Sequence, residues 1–196
     1  MVAVLAAGAN QTVEAGFVGL PRGLHATIDR IHLEAPALPP FAYTEFCLRY
    51  KAECTVKHRM VFRGGRVRLD FRRWAELTIV NSRVNAAIRP ERNDGRLIDE
   101  KWLINPKSGD CNDYAVSKRH ELIKLGWSAR NLLLSEVVTT WGEHHLVVVV
   151  RTRKGDIVLD SLVPQIRPWS QTPYQWVRIQ RPDSDRLWST IATRDV

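Results

Sequence analysis

Three strand-like runs follow one another closely in this 196-residue chain: Asn131 to Val138, His144 to Arg151 and Ile157 to Val163. No other stretch restricts the fold as much. The middle run is apolar without alternation from Leu146 to Val150, the pattern of a strand buried on both faces. Arg153-Lys154-Gly155-Asp156 reads as the turn into the third run, and Trp176 to Gln180 offers a fourth strand. Together they predict an antiparallel sheet.

Helical patterns precede the sheet. Cys111 to Leu125 places Tyr114, Ala115, Lys118, Leu122 and Leu125 at helical spacing, with Asp110 or Ser108 as N-cap and Gly126 as C-terminal cap. Arg72 to Ile88 repeats the spacing until Pro90 stops it. Thr44 is placed to cap a short helix from Glu45 to Ala52. Residues 1–40 are rich in Gly, Ala and Pro and read as an extended lead-in or signal-peptide remnant with one short strand. Residues 41–196 read as a single domain, and the length suits one hydrophobic core. The predicted class is α+β, with the helices first and an antiparallel sheet packed against the Cys111 helix.

Charge and hydropathy exclude some classes. The net charge is +8, but the arginines are scattered singly and no basic run is interleaved with aromatics, so nucleic acid is not the expected partner. No segment approaches the roughly 18 apolar residues of a membrane span. Met1 to Gly8 resembles the tail of a signal peptide's apolar region, and Val13-Glu14-Ala15 a cleavage-site remnant, which predicts a periplasmic or secreted protein. In an exported chain Cys47 and Cys54 invite a disulfide. One continuous helix from Tyr43 to Val56 would hold them about 10 Å apart, too far to bridge, so a disulfide requires a helix break between them. Two reduced cysteines are the alternative.

Chemistry centres on Cys111. At a helix N-terminus a thiol meets unpaired N–H groups and the positive end of the helix dipole, which favour thiolate and can steady an oxyanion. Asp110 and Asp113 act the other way if they face it, so activation falls to an imidazole. His144 and His145 lie in the buried-looking strand, and Asp160 sits in the apolar run that follows. An unpaired imidazole and an unpaired carboxylate are both costly there. One contact answers both demands: Asp160 bonds one ring nitrogen and the other faces Cys111, the logic of a Cys-His-Asp triad.

The motifs Gly109-Asp110-Cys111-Asn112-Asp113-Tyr114-Ala115, His145-Leu-Val-Val148 and Gly155-Asp156-Ile-Val-Leu-Asp160 resemble those of the bacterial transglutaminase-like cysteine peptidases, a branch of the papain-like and transglutaminase superfamily. Trp102, Pro106, Lys118, Trp169, Tyr174-Gln-Trp176, Phe46-Cys47, Glu53-Cys54, Val80-Asn81 and Val84-Asn85 fit as well, over roughly residues 40 to 190. The resemblance implies a papain-like or transglutaminase-like core and a triad of Cys111, His145 and Asp160, with His145 rather than His144 as the base. It implies export to the periplasm and a protein substrate. In the best-understood members that substrate is a surface adhesin cut at a paired-alanine site, under control of a membrane receptor and with calcium. There an acidic residue after the cysteine helps hold the ion. Here that position is Asn112, which has an amide oxygen to offer but no charge. No cofactor is therefore required by the sequence, and calcium is the candidate.

The expected reaction is peptide hydrolysis through an acyl-enzyme on Cys111. Trp102, Tyr114 and Asn105 are candidate cleft walls. Protein crosslinking, with an amine in place of water, uses the same groups. A non-catalytic binding module on the same scaffold, and a zinc site of Cys111, His144, His145 and Asp160, are the alternatives from other classes. Register offers a test. A tight two-residue turn at Lys154-Gly155 sets Asp160 opposite Val149, about 13 Å along the strand from His145. The triad thus predicts a longer loop or a bulge near residues 151–156, and a tight turn with regular pairing would sink it.

Overall fold

The computed structural model describes residues 30–55, 65–91 and 100–192. The signal-peptide reading lies outside them. β1 (Leu33–Ala37) leads into α1 (Phe41–Arg49), a 3₁₀ turn (Lys51–Cys54) and α2 (Phe71–Ala87). The short β2 (Arg89–Pro90) and β3 (Ser108–Gly109) pair in parallel just before α3 (Cys111–Lys124). Six strands follow: β4 (Leu132–Val138), β5 (His144–Thr152), β6 (Gly155–Leu159), β7 (Arg167–Pro168), β8 (Gln175–Arg181) and β9 (Ser184–Ile191). Seven strands make one antiparallel sheet in the order β1-β9-β8-β4-β5-β6-β7.

β5 is an interior strand between β4 and β6, which explains its unbroken apolar run. Leu146, Val148 and Val150 share a core with Ala115, Val116 and Leu122 of α3 and with Leu77, Val80 and Val84 of α2. Val147 and Val149 face the other way, into a second cluster with Val158, Trp169, Tyr174 and Ile179. Each sheet face thus has its own apolar cover.

Several sequence expectations change. The first helix runs Phe41–Arg49 rather than Glu45–Ala52, and no side chain caps it; Thr44 lies inside it. Pro40 ends the extended lead-in, and its carbonyl accepts from Tyr43 N–H, so the helix begins as soon as the prolines stop. That helix ends at Arg49, and Tyr50 (φ −115°, ψ 63°) breaks it before the 3₁₀ turn. The break brings Cys47 and Cys54 to a Cα–Cα distance of 5.4 Å, and they form a disulfide.

The third strand of the sequence reading, Ile157 to Val163, is β6, Gly155–Leu159. It starts earlier because the β5–β6 turn is tight: Thr152 pairs with Gly155, whose φ of 118° suits glycine. It stops at Leu159 because Asp160 Oδ1 accepts from Leu162 N–H and turns the chain away. β9 carries no strand signal in the sequence, because its polar Ser184-Asp-Arg start hides the period.

Candidate active site

α3 opens with local order that its sequence dictates. Asp110 accepts from Asn112 N–H at 2.9 Å, and Asp113 reaches back to Asp110 N–H at 3.1 Å, a reciprocal capping box. Asp113, Ser117 and Glu121, four residues apart on one side of α3, hold the incoming chain. They accept from Leu103 N–H (2.7 Å), Asn105 N–H (2.7 Å) and Asn105 Nδ2 (2.9 Å). Cys111 is thereby fixed as the first helical residue, half-buried and unbridged.

The backbone N–H of Leu146 lies close enough to the Cys111 sulfur to favour its ionised form. β6 pairs with β5 only as far as Val148, so at Leu146 that edge of β5 is bare. The thiol therefore meets β5 at its edge, one residue from His145. Burial and the Asp110 carboxylate, aided by Glu100 and Asp113, push the thiol up to about 12 against the pull of the Leu146 N–H. The carboxylates flanking Cys111 do oppose ionisation.

His145 is 4% exposed. Its Nε2 lies 2.8 Å from Asp160 Oδ1, and its ring meets Tyr174 edge-on at 5.7 Å. Asp160 also accepts from Tyr174 Oη at 2.5 Å and from Leu162 N–H at 2.9 Å. Burial raises the Asp160 pKa, but the His145 contact, the Tyr174 hydroxyl and the Leu162 N–H outweigh it and hold it below the usual carboxylate range.

The pair forms without the loop or bulge that the register argument required. The turn is tight and the β5–β6 pairing regular, two residues being looped out at Arg153 and Lys154. Continued from Val148–Leu159, that register sets Asp160 beside Val147, two residues from His145 and on the same face. Such diagonal neighbours lie within reach of long side chains. The register criterion was too strict because it placed the turn one residue late and treated Asp160 as still in the strand.

Other candidates are placed elsewhere. His144 is exposed and bonds Glu136 at 2.6 Å, so it leaves the zinc set. Trp102 is buried in an aromatic cluster with Tyr43 and Phe46. The Tyr114 hydroxyl donates to Ile88 O at 2.5 Å. Neither is a cleft wall, since packing claims both side chains, and Asn105 is tied to Glu121. Sequence reasoning left Tyr174 without a role beside Asp160; it lies 14 residues on, and only the fold joins them. It also passed over Glu100, which accepts from Trp102 Nε1 and from Asn112 Nδ2.

Three structures of LapG from Legionella pneumophila are similar to this chain. The calcium-bound form has a TM-score of 0.52 at 22% identity, over 63% of this chain and 73% of its own. The EGTA-treated form has 0.51 at 24%, over 63% and 69%. A third has 0.50 at 23%, over 59% and 66%. No curated protein matches the chain. The shared architecture defines the class: an α+β, transglutaminase-like fold. Residues 33–196 match the family described as bacterial transglutaminase-like cysteine proteinase, and the chain belongs to it. It is a cysteine peptidase, a hydrolase acting on protein.

The calcium-bound relative raises the question of a metal. Among the described residues no group of three or more His, Cys, Asp or Glu is placed to hold one. Both Asp113 oxygens accept backbone N–H groups, Asp110 accepts the Asn112 N–H, and Asn112 turns its amide nitrogen to Glu100 at 2.5 Å. An amide N–H group cannot ligate a cation, and in this orientation Asn112 presents one to Glu100. As placed, the described residues form no group that would hold calcium.

Proposed function

We propose that the chain cleaves a protein substrate with Cys111 as nucleophile, His145 as general base and then acid, and Asp160 as the group that orients the imidazole. The observation that supports this most is the 2.8 Å contact between His145 Nε2 and Asp160 Oδ1, with the Cys111 thiol near the N–H of the next residue, Leu146. With Nε2 committed to Asp160, Nδ1 is the nitrogen left for the thiol. Because burial and carboxylates hold the resting thiol protonated, its proton passes to Nδ1 as sulfur attacks the peptide carbonyl. The C–N bond then breaks, His145 protonates the departing amine, and the acyl group stays on sulfur. Water, deprotonated by His145, releases the acid and restores the thiol.

The Cys47–Cys54 disulfide supports an oxidising compartment, hence export to the periplasm or beyond. No helix among the described residues is long and apolar enough to cross a membrane. By analogy with its family, the substrate is a surface protein and a membrane-bound regulator controls access to it. The test is a comparison of protein N-termini in envelope fractions treated with wild-type chain or Cys111→Ala. New termini with the wild type alone are expected; identical termini in both would overturn the proposal.

A further inference from the structure

Asp160 stands outside the sheet that positions His145. β6 ends at Leu159, and residues 160–164 belong to no strand or helix. The carboxylate nevertheless has to stay within hydrogen-bond reach of a ring fixed in the interior strand β5. Its bonds to Tyr174, Leu162 and His145 involve the carboxylate alone. A separate group holds the backbone. Asn85 Nδ2 donates to the Asp160 carbonyl at 3.0 Å, and Asn81 Nδ2 donates to the Pro164 carbonyl at 2.9 Å.

These asparagines lie four residues apart on α2, so one helical face holds both ends of the loop. Carbonyl oxygens only accept, so the amide nitrogens must be the atoms facing them. The remaining oxygens, Asn81 Oδ1 and Asn85 Oδ1, are buried without a partner among the described residues. That is costly, and an apolar side chain would avoid it. α2 carries amides here in spite of that cost, and what they deliver is two hydrogen bonds to this loop.

From this we infer that Asn85 is a positioning residue: by fixing the Asp160 backbone beyond the end of β6 it sets the carboxylate against His145, while Asn81 anchors the far end of the same loop. The inference rests on the proposed roles of Cys111, His145 and Asp160. Asn85 has no charge, so replacing it leaves the ionisable groups around the pair in place. These are Tyr174 and Lys118 near Asp160, and Asp110, Asp113 and Glu100 near Cys111.

The test is the rate of Cys111 alkylation by iodoacetamide as a function of pH, in the full chain, with thermal melting measured alongside. His145, oriented by Asp160, takes the thiol proton as sulfur attacks, so alkylation starts well below the thiol's own high value. His145→Ala is expected to move the onset of alkylation to higher pH. Asn85→Leu should move it in the same direction and slow alkylation near neutral pH about tenfold or more. Asn85→Gln, which keeps a donor, should restore part of the loss. An Asn85→Leu onset that coincides with wild type, whatever its melting temperature, would overturn the inference and leave the triad standing. A His145→Ala onset equal to wild type would overturn the triad and the inference with it. If Asn85→Leu does not fold, Asn85→Ser serves for the same comparison.

Discussion

The Asp113 carboxylate occupies the space where a side chain at residue 109 would begin: a Cβ on Gly109 would stand 2.1 Å from Asp113 Oδ2. That oxygen also accepts from Asp110 N–H, so it cannot swing aside without opening the capping box. The glycine two residues before Cys111 is therefore a packing requirement of the helix start. Gly109→Ala should lower stability by about 1–3 kcal/mol. Urea denaturation measures this, and an unchanged midpoint would contradict it.

Tyr174 is the second donor on the far side of Asp160. A hydrogen bond to a charged group is worth about 1.5–3 kcal/mol, so Tyr174→Phe should cost that much at pH 7. The sign follows from Asp160, whose carboxyl is held below its ordinary value of 3.8. Its stabilisation is present above that value and is lost as pH falls and the carboxylate protonates. The gap between wild type and Tyr174→Phe should therefore narrow at pH 3. Denaturation at the two pH values decides, and a constant gap would argue that the hydroxyl does not act on the charge.

Lys118 is almost fully buried, with its ammonium 6.0 Å from the Tyr114 ring. Burial lowers it from 10.5 to about 7, partly offset by Asp160. A base depressed in the folded state contributes stability that is full above its unfolded value and is lost as pH falls to the folded one. The chain should therefore gain stability between pH 7 and 10.5. Lys118→Met should flatten that slope and be more stable at pH 7, by on the order of 3 kcal/mol. Parallel stability–pH curves for the two proteins would refute this.

Asn112 donates to Glu100 where a carboxylate would repel it. Glu100 is already raised by burial and by Asp110 and Glu136. Asn112→Asp adds a further negative charge to this group. Its melting temperature should drop in EGTA and recover with added calcium, whereas the wild type should respond less to either. An equal calcium response in both would mean that Asn112 plays no part in discriminating against the ion.

What the sequence determined by itself was the part of the site built from residues close together in the chain. Asp110, Cys111 and Asp113 fold as a capped helix start because their bonds span three residues or fewer; helical periodicity marked α2 and α3, and an unbroken apolar run marked β5. The disulfide was legible as a condition, a helix break between Cys47 and Cys54, and Tyr50 supplies it. Tertiary structure decided the rest. His145 and Asp160 meet because the β5–β6 turn falls one residue earlier than the sequence suggested, and each residue of turn position shifts the pairing by two. Tyr174, Asn81 and Asn85 reach Asp160 and its loop from β8's approach and from α2, and Lys118 lost its water to the packing of α3. Local rules reach about one helical turn; these partners are 14 to 83 residues apart, and only the packing of helices on the sheet brings them together.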